Sequence, residues 1–441
     1  MMKANLWILL TFAILVPWGS AAEPTVRQIP VALGLASHPV NGGDCFVSDG
    51  TSEYLAFYDT QHQMTVAKRK LGEETWDFAT LPEKVGWDTH NCILIFLDRT
   101  GHLHVTGNMH GHPLKYYRTA TPGDIYSFQG IHRWAGFKEE RVTYPSLLKL
   151  RDGSIHMMYR FGGSGNGMRI LVHYDEETQT WTGPGTAFIS GMDEDPTCNA
   201  YPFGGIVEDA QGRLHIAWCW RQTPDVLTNF NINYAMSDDG GLTWKRSDGT
   251  GLDLPITPRN AEVVEAIPQN HGLMNGGTLL IDPQGRPYIG YTHFDAKERN
   301  QIYVATLEGT EWKVVQVSDW DIQFRFSGGG TIPQSPPIPR LGLLDGKISI
   351  TYSSPLVKPS QGTTEIPREA LLSSQPEDFI YKPVQSERQS IPHVRAVCGG
   401  PLPTGEIHYM SQKADQPNRD RKPENPMEPQ MIYVYEVIQS E

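Results

Sequence analysis

The chain has 441 residues, a formal charge of −13 and five cysteines. Nucleic acid and anionic membranes require a basic footprint that so acidic a chain lacks, so neither is an expected partner. Five cysteines are too few, and odd in number, for a disulfide framework to hold a fold of this size.

At the start of the chain, Lys3 precedes an apolar run from Leu6 to Trp18, which ends at the small-residue site Ser20-Ala21-Ala22. This pattern reads as a secretory signal peptide over residues 1–22. The run is too short for a membrane span, and no later segment approaches the roughly 20 apolar residues that spanning needs. A secreted or periplasmic monomer of residues 23–441 is expected.

An internal repeat follows. It reads "SDGTSEYLAFY" at Gly50, "DRTGHLHVTG" at Gly101, "RDGSIHMMYR" at Gly153, "EDAQGRLHIAW" at Gly212, "DPQGRPYIGY" at Gly285, "LDGKISITY" at Gly346 and "PTGEIHYM" at Gly405. Each copy is a polar turn with glycine, followed by alternating apolar and polar residues, the pattern of a strand leaving a tight turn. The glycines stand 51, 52, 59, 73, 61 and 59 residues apart, about one four-stranded blade with long loops. Second strand signals such as "MTVAKRK", "INYAMS" and "QIYVATL" come after most copies. The predicted fold is all-β: a single seven-bladed β-propeller over residues 23–441, closed by the N-terminal "TVRQIPVAL" completing the blade that ends in "MIYVYEVI". Ser237-Asp238-Asp239-Gly240-Gly241-Leu242-Thr243-Trp244 fits an Asp-box, a hairpin turn that reports fold and not catalysis.

Five of the fifteen histidines fall between His90 and His112. His102 and His104 occupy a repeat position shared with His156, His215 and His408, and so read as packing residues. His90 and His110 do not. Each has an asparagine nearby, Asn91 and Asn108, and each stands at a strand end where loops open. In the next repeat Tyr144 and Arg160 begin and end a hairpin, which makes them expected neighbours. The loop "GGSGNG" after Arg160 presents Asn166 and lacks the lysine and helix of a phosphate-binding loop. Trp218, Trp220 and Arg221 are candidate sugar-stacking and charge contacts.

Hydrolysis of a glycosidic bond usually needs two carboxylates at a set separation, and no convincing pair accompanies this cluster. β-Elimination beside a uronic acid needs a cation for the carboxylate, a base for the C5 proton and an acid for the leaving oxygen. Arginine, tyrosine and histidine supply that set, without a redox cofactor.

The segments "VGWDTHN", "LHVTGNMHGHPLKYYRT", "VTYPSLL", "YRFGGSGNG", "NAYPFGG" and the Asp-box resemble the BNR-repeat propellers that include the ulvan lyases. The resemblance implies a lyase acting between sulfated rhamnose and a uronic acid, with an anionic polysaccharide as its partner. It implies a catalytic set of His90, His110, Tyr144 and Arg160. Arg160 and His110 would neutralise the carboxylate, and Tyr144 and His90 would move protons. Some relatives hold a structural zinc through histidine and cysteine after the "LHxxWxW" segment, but here Cys219 stands alone after His215, and zinc is not expected. His38, in "SHPVNGG", lies in the region where related propellers that release rhamnose from glucuronic acid carry a histidine. It keeps a glycoside hydrolase open as the alternative, beside a non-catalytic glycan-binding propeller.

Overall fold

The computed structural model describes residues 25–38, 45–131, 133–191, 198–330, 332, 334–384, 397–398, 407–412 and 422–438. The expected signal peptide and the seventh repeat turn, at Gly405, lie outside the described residues. The chain is all-β, and among the described residues helix is limited to short 3-10 turns such as Ile125–Ser127 and Arg368–Ser373.

The repeated turn is a conserved piece of backbone chemistry within the chain. Gly50, Gly101, Gly153, Gly212, Gly285 and Gly346 all have φ between 75° and 85°, the left-handed region that glycine enters without a Cβ clash. In five of these turns an aspartate carboxylate also accepts the backbone N–H two residues on: Asp49 from Thr51, Asp98 from Thr100, Asp152 from Ser154, Asp209 from Gln211 and Asp282 from Gln284. Asp98 and Asp209 do more. Each bonds a repeat histidine, His104 Nε2 at 3.2 Å and His215 Nε2 at 3.0 Å, whose Nδ1 meets the hydroxyl of Tyr116 or Tyr234 at 2.6 Å. These histidines are packing residues, as their repeat position suggests, and burial pushes both imidazoles below their ordinary pKa.

The strands pair antiparallel and, among the described residues, fall into seven sheets. Five of the strands after the repeat turns are mid-sheet and wholly buried, Ser52–Tyr58, Leu103–Gly107, Ile155–Gly162, Leu214–Arg221 and Pro287–Phe294, whereas Lys347–Ser353 is buried at alternate residues. The near-continuous apolar runs of the five are what burial of both faces demands. The segment Ser237–Trp244 turns between strands Asn229–Ser237 and Trp244–Lys245. Asp239 Oδ1 accepts N–H bonds from Leu242 and Thr243 there, and the Trp244 ring is buried.

The chain divides into two compact units. The first comprises residues 1–147, 174–182 and 388–441. It contains the sheets of Phe46–Ser48, Ser52–Tyr58, Gln63–Lys70 and Asp77–Lys84, and of Ile93–Leu97, Leu103–Gly107, Tyr116–Thr119 and Phe128–Gly130. In the same unit strand Thr25–Gly34 pairs along Gln430–Ile438, from Thr25 opposite Ile438 to Gly34 opposite Gln430. Its core includes Ala56, Met64, Val66, Ile95, Leu103 and Val105. The second unit comprises residues 148–173 and 183–387. It contains the sheets centred on Leu214–Arg221, Pro287–Phe294 and Lys347–Ser353. Trp218, Trp220, Phe188 and Trp244 fill one of its cores.

Candidate active site

Asp88 organises the candidate site, and it was not singled out from the sequence. It lies in the loop before strand Ile93–Leu97. Its Oδ1 accepts the backbone N–H of His90 at 3.0 Å and meets His90 Nδ1 at 2.6 Å. Its Oδ2 meets His110 Nδ1 at 2.7 Å. Burial opposes ionisation of Asp88, but the hydrogen bonds from His110 and His90 outweigh it and hold the carboxyl well below the usual carboxylate range. An ionised carboxylate only accepts, so both Nδ1 atoms must carry protons. With Nδ1 protonated, a neutral ring accepts at Nε2 and an imidazolium donates there.

His110 begins the short strand His110–His112, which pairs with Val142 and Thr143. The register shifts between those two residues, and a bulge of this kind re-aims the side chains that follow it. Gly111 N–H donates to Thr143 Oγ1 at 2.7 Å and ties the two segments together. Tyr144 comes next, at φ 50°. A bulky residue held in the left-handed region is strained, and such strain gathers at functional sites. The residue is 38% exposed and its ring stacks on His110, with centroids 5.5 Å apart and planes at 27°. His90 lies 4.6 Å from His110 and 6.0 Å from Tyr144 between ring centroids. The first unit therefore brings together three of the four expected catalytic residues. Arg160, buried on strand Ile155–Gly162, belongs to the second unit.

The expected substrate contacts divide. His38 is buried, with Nδ1 3.0 Å from Ser37 Oγ and Nε2 2.9 Å from the carbonyl oxygen of Asp88. Burial pushes its pKa down, so His38 is a neutral prop beneath Asp88 and not an exposed sugar contact. Asn91 is another buried prop, donating from Nδ2 to the same carbonyl at 3.1 Å. Asn108 is spent on Glu83 Oε2 and the Lys84 carbonyl, both at 3.1 Å. Trp220 is fully buried, edge to face with Trp218, which leaves no ring face for a sugar. Its apolar bulk in a mid-sheet strand was the signal for the core. Asn166 is exposed, and its Oδ1 accepts the N–H of Gly163. Arg221 is buried at the end of strand Leu214–Arg221.

Among the described residues, Asp88, His90 and His110 are the one group of potential metal-ligating side chains whose atoms all lie within 4.8 Å of one another. The nitrogen-to-oxygen separations of 2.6 and 2.7 Å are those of charge-assisted hydrogen bonds.

Comparison with known proteins places the chain in a family. The chain is 29% identical over 123 residues to an ulvan lyase, long isoform, from Glaciecola sp. (strain KUL10). That match covers 26% of the chain and 12% of the relative, so the chain accounts for a small part of the relative's length. The crystal structure of the polysaccharide lyase Uly1 aligns over 94% of this chain and 99% of its own, with a TM-score of 0.61 at 13% identity. A PL25 ulvan lyase bound to -[GlcA(1-4)Rha3S]- aligns over 94% of this chain and 96% of its own, with a TM-score of 0.51 at 13% identity. At such identities the likeness is one of fold. The family model described as BNR repeat-containing family member matches residues 52–320, and the chain belongs to that family.

Proposed function

We propose that the protein is a secreted polysaccharide lyase that cleaves by β-elimination next to a uronic acid in a rhamnose- and uronate-containing, ulvan-like glycan. The observation that carries the reading is the Asp88 carboxylate gripping two imidazoles by Nδ1 beneath the exposed ring of Tyr144. The names of the similar proteins, ulvan lyases, supply the glycan. On this reading the seven antiparallel sheets are the blades of one propeller domain. The pairing of Thr25–Gly34 with Gln430–Ile438 supports closure of the ring by the N-terminal strand.

The chemistry assigns each group a task. The resemblance assigns the uronate carboxylate to Arg160 and to His110, which must be the imidazolium donating from Nε2 for that role, and their charge acidifies the proton on C5. His90 takes that proton at Nε2, since Asp88 keeps its Nδ1–H in place. The C5–H electron pair becomes the C4–C5 double bond, the bond from C4 to the glycosidic oxygen breaks, and the Tyr144 hydroxyl protonates the leaving oxygen. The products are an unsaturated uronate and a new chain end. A hydrolase acting through His38 finds no support, because both ring nitrogens of that buried residue are engaged.

The test is to incubate the protein with ulvan and follow both ultraviolet absorbance and reducing ends. Rising absorbance from the unsaturated uronate is expected. Reducing ends without it would establish hydrolysis, and binding without either product would establish a glycan-binding propeller.

A further inference from the structure

We infer that Arg221 is the centre of an anion subsite in the second unit that reads the sulfate half-ester of the glycan, an assignment that rests on the glycan proposed above. Arg221 is 5% exposed, yet every group it touches is neutral. Nε donates to Asn229 Oδ1 at 2.8 Å, Nη1 to Ser164 Oγ at 3.4 Å, and Nη2 to Asn275 Oδ1. The guanidinium lies over the Tyr201 ring, 4.3 Å from its centroid. Arg69, equally buried, shows the usual arrangement: it is paired with the carboxylates of Glu53 and Glu436.

Arg221 therefore carries an uncompensated charge among the described residues, and burying a charge without a counter-ion is costly. A guanidinium has five N–H donors, and three are used here. The remaining two, one on each terminal nitrogen, match an oxyanion that offers two oxygens side by side.

The surroundings are built and reach the surface. Ser164, Tyr201 and Asn275 are half-buried, and Asn166 beside them is exposed. The Ser164 and Tyr201 hydroxyls lie 2.7 Å apart, and Asn199 Nδ2 donates to the Ser164 carbonyl at 3.1 Å. Gly165 explains the glycine-rich loop: a Cβ there would sit 2.3 Å from the backbone nitrogen of Pro224. The loop carrying Ser164 is thus pressed against the Thr223–Pro224 backbone and positioned over the guanidinium. Tyr201 O–H donates to the Ser164 carbonyl at 2.7 Å, so both hydroxyl protons are used within the site, and a sulfate half-ester suits it because it stays ionised and presents two terminal oxygens to the two N–H groups. The reaction proposed above assigns the uronate carboxylate to other residues.

Equilibrium binding of ulvan oligosaccharides to the full chain tests this without requiring turnover. The probes are native, chemically desulfated and carboxyl-reduced oligosaccharides, measured with the Tyr144→Phe protein and with Arg221→Gln or Asn275→Asp added to it. Native oligosaccharide should bind roughly tenfold more tightly than desulfated, the size of one charged hydrogen-bonded contact. Arg221→Gln should erase that ratio. So should Asn275→Asp, which places a carboxylate on the guanidinium and spares the fold if Arg221→Gln does not. A ratio that persists in either folded variant overturns the proposal, as does equal weakening of all three probes by Arg221→Gln, the mark of a structural role. Loss of discrimination against the carboxyl-reduced probe alone would overturn sulfate in favour of the uronate. A sulfate preference in a protein that forms no unsaturated product would overturn the lyase reading and leave the subsite standing.

Discussion

Replacing Asp88 with asparagine keeps the side chain's shape and removes one of its two acceptor atoms. The amide oxygen can still receive one imidazole Nδ1–H, but the NH2 group now faces the other ring, donor against donor. That ring must move its proton to Nε2 or lose its partner. If His90 is the ring affected, it loses the lone pair that takes the C5 proton. If His110 is affected, it loses its anchor beside Tyr144. A hydrogen bond to a charged group contributes about 1.5–3 kcal/mol. Expressed in the transition state, that energy lowers kcat roughly ten- to two-hundred-fold. The assay is the initial rate of unsaturated uronate formation on ulvan. The Asp88→Asn protein should remain folded by circular dichroism and retain substrate binding. Its kcat within threefold of the parent would refute the bridging role of the carboxylate. The same change should alter acid stability in a fixed direction. The folded-state pKa of Asp88 is depressed, so its hydrogen bonds stabilise the fold above the unfolded carboxylate value of about 3.9 and are lost as pH falls through the folded value. The variant lacks that contribution, and its denaturant midpoint should fall less steeply on acidification below about pH 4.

Tyr144→Phe removes only the proposed acid from a side chain 38% exposed, so kcat should drop by roughly 10²- to 10⁴-fold while stability changes by less than about 0.5 kcal/mol. Unchanged turnover would remove Tyr144 from the mechanism. Trp220→Ala should cost about 3–5 kcal/mol in chemical denaturation, because it empties a fully buried indole volume. A loss of binding with no loss of stability would return Trp220 to the sugar site. His156 lies with its Nδ1 2.7 Å from Nδ1 of His173, and burial, then His173, push its pKa down to about 4. The unfolded chain takes a proton at about 6.5 that the folded one refuses, so stability should fall as pH drops from about 6.5 towards 4. In His156→Gln, urea midpoints at pH 7 and 4.5 should differ less than in the parent, and an equal difference would contradict this assignment.

Much of the architecture is local chemistry and was legible for that reason. A left-handed glycine with an aspartate that caps the next amides makes the same turn wherever it occurs, and the strand after it is set by its own apolar run. The positions of His104 and His215 within the repeat marked them as packing residues before their aspartate and tyrosine partners were visible. His90 and His110 stood out because they lie off that repeat position, and Tyr144 because it opens the hairpin that Arg160 closes. Four of the expected substrate contacts are buried by the fold. His38, Asn91, Asn108 and Trp220 are residue types that sugar sites use, and residue type does not say which way a side chain faces or what already occupies its polar atoms.

Composition, spacing and repeat thus determined the strand-turn framework and the histidines and tyrosine worth examining, because turns and strands depend on neighbours a few residues away. Tertiary structure alone made Asp88 the hub. Its partner His110 is 22 residues distant and reaches it only when the loop carrying Asp88 meets the start of strand His110–His112. It alone left Arg221 buried among neutral groups. The anchored Nδ1 of an imidazole and the missing counter-ion of a guanidinium are properties of surroundings, and surroundings exist only once the chain has folded.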